Sequence, residues 1–209
     1  MDPAREVGGD FYDFFMIDND HLALVIADVT DKGVPAALLM MSAKILIDYC
    51  AHMDGSPSRV LSNVNTQLCE GNESGMFVTV WMGILDVKTG LMTCANAGHE
   101  NPMIRDGGIF RMLKDMHGLP LGVMPEVKYQ NYVIQLKPGD AVFVYTDGVP
   151  EANNAEGQLY GFARMELALN RIRETDPESV LNGVRADVDA FVKNADQFDD
   201  LTMLCVTYK

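Results

Sequence analysis

Residues 22–39 read Leu-Ala-Leu-Val-Ile-Ala-Asp-Val-Thr-Asp-Lys-Gly-Val-Pro-Ala-Ala-Leu-Leu. An apolar run, Leu22 to Ala27, ends on Asp28. A polar turn follows, and Pro35 then opens a helical stretch, at the position where a first helical turn tolerates proline. A carboxylate at the end of a buried strand, facing a glycine-bearing turn, is well placed to hold a hard cation, because Mg²⁺ and Mn²⁺ take oxygen ligands. Taken alone, Asp28 reads equally well as a residue that caps its own turn.

The same local pattern recurs. Val7-Gly8-Gly9-Asp10 is a glycine-flanked aspartate. Ala141 to Thr146 is an apolar strand that ends on Asp147-Gly148. Asp199-Asp200 opens the last apolar run, which starts at Leu201. Converging carboxylates repel one another unless they are protonated or metallated. Two divalent cations would offset four aspartates, polarise a phosphoester and turn a water into a nucleophile. The pattern therefore predicts metal-assisted phosphoester hydrolysis without a covalent enzyme intermediate. There is no G-x-S-x-G elbow and no P-loop, which argues against nucleophilic-serine and P-loop chemistry.

The 209 residues suit one large domain. The net charge of −14 opposes nucleic-acid binding and adhesion to anionic lipid. The apolar stretch Pro35 to Ile47 is interrupted by Ser42 and Lys44, so no run is expected to span a bilayer. Cys50, Cys69, Cys94 and Cys205 form no C-x-x-C and read as reduced core thiols of a cytoplasmic protein.

Periodicity predicts mostly antiparallel strands with inserted helix pairs, an α+β chain. Helices are expected over Pro35–Cys50, apolar on most faces and so well buried, and up to Glu70 from a Ser56 or Ser58 cap. Two more, amphipathic, are expected over Gly161–Arg173 and Pro177–Lys193. Tyr129–Leu136 reads as a strand. No strand ahead of Val7 can pair with the opening run, which predicts a segment missing upstream.

Other residues support two readings each. His99, in Asn96-Ala97-Gly98-His99, reads as a histidine bonded within its turn in preference to an acid near a leaving group. Arg5 is either a phosphate contact or a surface charge. Asp13 orients the site or caps a turn. Asp200 is a second ligand or holds the turn, and Asp31 and Lys32 read as solvated turn residues.

Five blocks in order resemble the SpoIIE/RsbU branch of the metal-dependent protein phosphatases (the PPM fold). They are Val7 to Asp13, Ala27 to Leu38, Asn96 to His99, Tyr145 to Glu151 and Asp199 to Thr202. The resemblance implies an α/β/β/α sandwich of two mostly antiparallel sheets in a single domain over 1–209, without its first strand. It implies two cations, Mn²⁺ or Mg²⁺. Asp28 then resembles the carboxylate that bridges the metals and the attacking water, with the Val29 carbonyl as a backbone ligand. Asp147 and Asp199 resemble further metal carboxylates, Asp10 the first acidic position, and Arg5 a phosphate-binding arginine. The implied substrate is phosphoserine or phosphothreonine on a small protein of the anti-sigma-factor-antagonist type. The implied partners are an upstream sensor or activator region acting through the first two helices, and a second copy in the full-length protein, which could be membrane-tethered upstream. The competing reading is a non-catalytic partner-binding domain of the same fold.

Overall fold

The computed structural model describes residues 1–4, 8–70, 72 and 74–209. The chain divides into two compact units.

The first, the α1 unit, spans residues 5–99 and 115–135. It holds β1 (Phe11–Met16), β2 (His21–Val29), α1 (Val34–Met53), α2 (Pro57–Cys69), β3 (Val78–Asp86), β4 (Leu91–Ala97) and, later in the chain, β7 (Tyr132–Gln135). The strands form an antiparallel five-stranded sheet in the order β1-β2-β3-β4-β7. The near-continuous apolar run of β2 fits a strand buried on both faces of its sheet. Val25 and Ala27 of β2 and Val80 and Met82 of β3 face Ile47 of α1 and Leu61 and Val64 of α2 across one core. On the opposite face Leu24, Ile26 and Trp81 are buried as well.

The second, the α4 unit, spans residues 1–4, 100–114 and 136–209. It contains β5 (Met103–Asp106), β6 (Ile109–Met112), β8 (Ala141–Tyr145), α3 (Phe162–Arg171), α4 (Pro177–Val192) and β9 (Met203–Thr207). Its antiparallel sheet runs β6-β5-β8-β9. Phe143, Tyr145 and Phe110 pack with Met165 and Leu169 of α3 and with Val180, Val184 and Val188 of α4. Asp176 caps α4 through a bond from Ser179 N of 2.9 Å, and Pro177 follows in the first turn. Asp2 forms an antiparallel bridge with Leu201, just ahead of β9.

The α+β class and the antiparallel sheets match the expectation, and the helices and most strands fall within a few residues of it. Three details differ. Helix α1 is not buried all round: Val34, Leu38, Met41, Ile45, Tyr49 and Met53 are exposed along one stripe. At 20 residues α1 also has the length and apolar composition of a membrane span, contrary to the expectation of none. Ser42 and Lys44 are too few to offset its apolar residues, and Lys44 is paired with Asp13 at 2.8 Å. Its Ala43, Ile47 and Ala51 nonetheless pack into the core of the α1 unit. Second, Ser56 occupies the N-cap of α2 but makes no capping bond; its hydroxyl lies 3.3 Å from Ser58 Oγ and accepts from Asn131. Third, the strand expected over Tyr129–Leu136 shrinks to Tyr132–Gln135. The Tyr129 hydroxyl donates to the Leu119 carbonyl at 2.9 Å, which holds that residue to the preceding loop.

Candidate functional site

In the α1 unit the candidate residues gather at one end of the sheet. Phe11 pairs with Ala27, so Asp10, one residue earlier, stands beside Asp28 on the neighbouring strand. Alternation along the strands puts Asp10 and Asp28 on the face opposite the helix core. Asp10 is 2% exposed and Asp28 is half-buried. Thr79 lies directly across from Asp28 on β3.

Glycine is required at position 9. A Cβ there would sit 2.9 Å from the Val29 carbonyl oxygen. Gly9 therefore lets the backbone before Asp10 pass against the strand end that carries Asp28. Beyond it, Thr30 N donates to the Phe77 carbonyl at 3.0 Å, and Asp31 takes a left-handed conformation with φ 67°.

His99 is buried beside these residues, in the turn after β4. Its backbone N–H donates to Asn96 Oδ1 at 2.7 Å, and its Nδ1 lies 2.9 Å from Thr79 Oγ1. This is the turn-bonded histidine that the sequence suggests. Asp13 pairs with Lys44 and also accepts from the Phe14 N–H.

In the α4 unit the chain leaves β8 through buried Thr146 to half-buried Asp147. Thr146 N donates to the Thr202 carbonyl at 3.1 Å, and Thr202 N to Thr146 Oγ1 at 3.2 Å. These bonds lock the Asp147 loop to the Asp199-Asp200 turn. Gly148 completes the approach, since a Cβ there would overlap the Asp200 carbonyl oxygen and lie 3.4 Å from Asp199 Cβ. Asp147 and Asp199 are thereby brought together. Asp200 is buried; its Oδ1 accepts from Ala4 N at 2.7 Å, and its own N–H donates to Asp199 Oδ1 at 2.8 Å. Its carboxylate therefore holds the chain start in place. A cavity of about 200 Å³ opens beside Gly148 and Asp199, floored by Val188 and Val192 of α4.

Sequence reasoning missed Glu100. Burial raises its carboxyl above the usual range, and the negative charges of Asp147 and Glu151 raise it further. The only signal was its position directly after the Asn96–His99 block. Arg5 lies outside the described residues.

The donors available in both units are carboxylate and carbonyl oxygens, the set that Mg²⁺ or Mn²⁺ takes. Among the described residues no three His, Cys, Asp or Glu side chains are drawn into one metal-binding group. Each unit instead presents a pair, Asp10 with Asp28 and Asp147 with Asp199. That donor chemistry fits divalent cations.

Comparison with known proteins gives the class. The chain has the fold of PP2C-type phosphatase domains. It superimposes on the SiaA-PP2C domain of Pseudomonas aeruginosa with a TM-score of 0.87 and 24% identity, covering 100% of this chain and 84% of that one. The family model described as Stage II sporulation protein E (SpoIIE) matches residues 18–209, and the chain belongs to that family. It is 30% identical to Protein IcfG of Synechocystis sp. (strain ATCC 27184 / PCC 6803 / Kazusa), over 99% of this chain and 37% of that protein. It is 31% identical to the phosphoserine phosphatase RsbU of Bacillus subtilis (strain 168), over 75% of this chain and 47% of that protein. The chain thus spans less than half the length of these two relatives.

Proposed function

We propose that this chain is a protein phosphatase that hydrolyses phosphoserine or phosphothreonine with the help of two divalent cations, Mn²⁺ or Mg²⁺. The observation that carries this reading is the way each motif carboxylate sits at a strand end set by a glycine, Gly9 against Val29 and Gly148 against Asp200. Membership of the SpoIIE family and the similarity to RsbU support it.

In this reading Asp28 and the Val29 carbonyl of the α1 unit and Asp147 and Asp199 of the α4 unit would hold the cations, with Asp28 the central carboxylate of the set. Asp10 is the further acidic group at the site, and Asp200 anchors Ala4 and completes the set of acidic groups beside Asp199. The two units then work as one phosphatase domain. When bound, the cations supply Lewis-acid polarisation of the phosphate and a water of lowered pKa. The chain's own residues hold the geometry: Thr79 and His99 fix the strand end at Asp28, and the Thr146–Thr202 bonds fix Asp147 next to Asp199. The substrate class is a small phosphoprotein of the anti-sigma-factor-antagonist type. Four free cysteines support a cytoplasmic setting.

The exposed stripe of α1 supports a docking role. Val34, Leu38, Met41, Ile45, Tyr49 and Met53 recur every three or four residues on one helix face. We assign that face to the upstream sensor or activator region, with a second copy of the chain as the competing occupant. The same stripe favours one other reading, a non-catalytic domain that only binds a partner.

The test is phosphate release from a phosphoserine protein and from an aryl phosphate, with and without Mn²⁺, for wild type and Asp28→Asn. Metal-dependent release that the variant loses is the expected result. Partner binding with no release at any Mn²⁺ concentration would favour the binding domain.

A further inference from the structure

One buried carboxylate in the α1 unit takes no part in the site described above. Asp115 lies on the long loop after β6, and its side chain is 1% exposed. A buried carboxylate is costly unless charge or hydrogen bonds compensate it. Three neighbours do so. His117 Nε2 lies 2.9 Å from its Oδ1, Asn96 Nδ2 approaches both oxygens at 3.4 and 3.2 Å, and the Tyr132 hydroxyl bonds to it. Trp81 Nε1 in turn donates to the Tyr132 oxygen at 2.8 Å.

Asn96 is the link to the strand end. Its Oδ1 accepts from His99 N at 2.7 Å, and its Nδ2 donates to the His99 carbonyl at 3.0 Å. Both polar ends of the amide thus clamp one residue. The backbone confirms the register, since Gly118 N donates to the Asn96 carbonyl at 2.8 Å. The clamped His99 presents Nδ1 to Thr79 Oγ1 at 2.9 Å, and Thr79 Oγ1 reaches the Asp28 carbonyl at 3.4 Å. A continuous hydrogen-bonded path therefore runs from Asp115 through Asn96, His99 and Thr79 to the peptide that joins Asp28 to Val29.

We propose that Asp115 is a positioning residue: through Asn96, His99 and Thr79 it fixes the backbone of Asp28 and Val29 at the strand end. Its carboxylate orients the Asn96 amide, because the carboxylate only accepts and so selects the Nδ2 end. With the amide fixed, the His99 backbone is held at both its N–H and its carbonyl, which keeps its Nδ1 within reach of Thr79 on β3. The path makes Asp115 to the Asp28 strand end what outer-shell carboxylates are to metal-ligating histidines. This proposal rests on the phosphatase reading, because it treats Asp28 and Val29 as cation ligands.

The test compares wild type with Asp115→Ala, Asp115→Asn, Thr79→Val and the double variant Asp115→Ala/Thr79→Val. Two quantities are read. One is the Mn²⁺ concentration giving half of the full rise in melting temperature. The other is kcat and KM for an aryl phosphate at saturating Mn²⁺. Asp115→Ala is expected to raise the Mn²⁺ requirement about tenfold and to lower kcat by a similar factor with KM unchanged. Asp115→Asn keeps an acceptor for Asn96 and returns both quantities toward wild type. Thr79→Val gives the same shift, and the double variant is no worse than either single change, since both break one path.

A lower melting temperature in Asp115→Ala with normal Mn²⁺ saturation and normal kcat would make Asp115 a core residue only and overturn the proposal. So would additive effects of Asp115→Ala and Thr79→Val. If Asp115→Ala does not fold, Thr79→Val and Asp115→Asn still decide, because normal Mn²⁺ saturation in Thr79→Val overturns the path. A wild type that binds Mn²⁺ but releases no phosphate overturns the phosphatase reading, and the Mn²⁺ midpoints still judge the positioning role.

Discussion

The outer face of α1 carries Leu38, Met41, Ile45 and Tyr49 into solvent, whereas α4 exposes only small, polar or charged residues. Arg185 Nε bonds Asp189 at 2.8 Å, and Asp187 accepts from Arg164 Nε at 3.1 Å and from the Tyr160 hydroxyl at 2.8 Å. Arg164 also lies over the Phe191 ring, 4.7 Å from its centroid. Both units put a helix pair on an antiparallel sheet, and both bury a full apolar core. They differ in what covers the outside. Helix α4 presents a polar surface, while its neighbour α3 exposes only Phe162 and Leu167 among its large apolar residues. Helix α1 keeps an exposed apolar stripe, the surface to which a docking role is proposed above. The lesson is that the same helix-pair-on-sheet architecture can carry an apolar helix face in one unit and a polar one in the other.

The largest effect that could break this comparison is at the carboxylates. Asp28→Asn in the α1 unit and Asp147→Asn in the α4 unit are each expected to abolish Mn²⁺-dependent phosphate release while circular dichroism stays native. Residual metal-dependent turnover in only one of them would show that the two units do not contribute equally.

Next come the cores against the open face. Ile47 is 1% exposed and Ile45 is 60% exposed, two residues apart on one helix. Ile47→Ala is expected to lower unfolding stability by about 2–5 kcal/mol in urea melts. Ile45→Ala should stay within about 0.5 kcal/mol. A double change, Leu38→Glu with Ile45→Glu, should leave basal aryl-phosphate turnover unchanged and, under the docking role proposed for this face, weaken binding of the partner it receives. A large stability loss at Ile45 would mean that its face is covered within the chain.

The two site glycines give a smaller contrast. Gly148→Ala forces a methyl into the Asp200 carbonyl, and a cost of about 1–3 kcal/mol follows. Gly9→Ala meets Val29 O at 2.9 Å and should cost less, about 1 kcal/mol, while still weakening Mn²⁺ stabilisation. Thermal melts at graded Mn²⁺ separate the two effects.

The smallest effect is electrostatic. The Glu100 carboxyl is raised by burial and then by Asp147 and Glu151. A raised carboxylate pKa means that ionisation opposes folding. The penalty is absent below the pKa of an unfolded glutamate and grows until pH exceeds the folded value. Glu100→Gln should therefore stabilise the metal-free protein at neutral pH and lose that gain in acid. Urea titrations at graded pH measure it, and an equal gain at all pH values would rule out the electrostatic origin.

Much of this molecule follows from local sequence. The run Leu22 to Ala27 is apolar on both strand faces, so a central strand was legible. Asp147-Gly148 and Asp199-Asp200 stood out because each closes or opens such a run. Helix starts followed from Pro35 and Pro177, whose fixed φ and missing N–H suit a first helical turn, and from the serines around Pro57. The burial of α1 was misjudged because an apolar helix looks the same in sequence whether its second face meets a core or solvent. The Ser56 cap failed for a similar reason: its hydroxyl had better partners in Ser58 and in Asn131, far along the chain.

The sequence by itself determined the element order, the carboxylates at strand ends and the glycines beside them, because these depend on neighbours a few residues apart. Only the tertiary structure decided that Asp10 stands beside Asp28, that Glu100 feels Asp147, and that Asp115 reaches Asp28 through Asn96, His99 and Thr79. Such contacts join residues that strand pairing and loop closure bring together, and no local pattern in the chain encodes the distance between them.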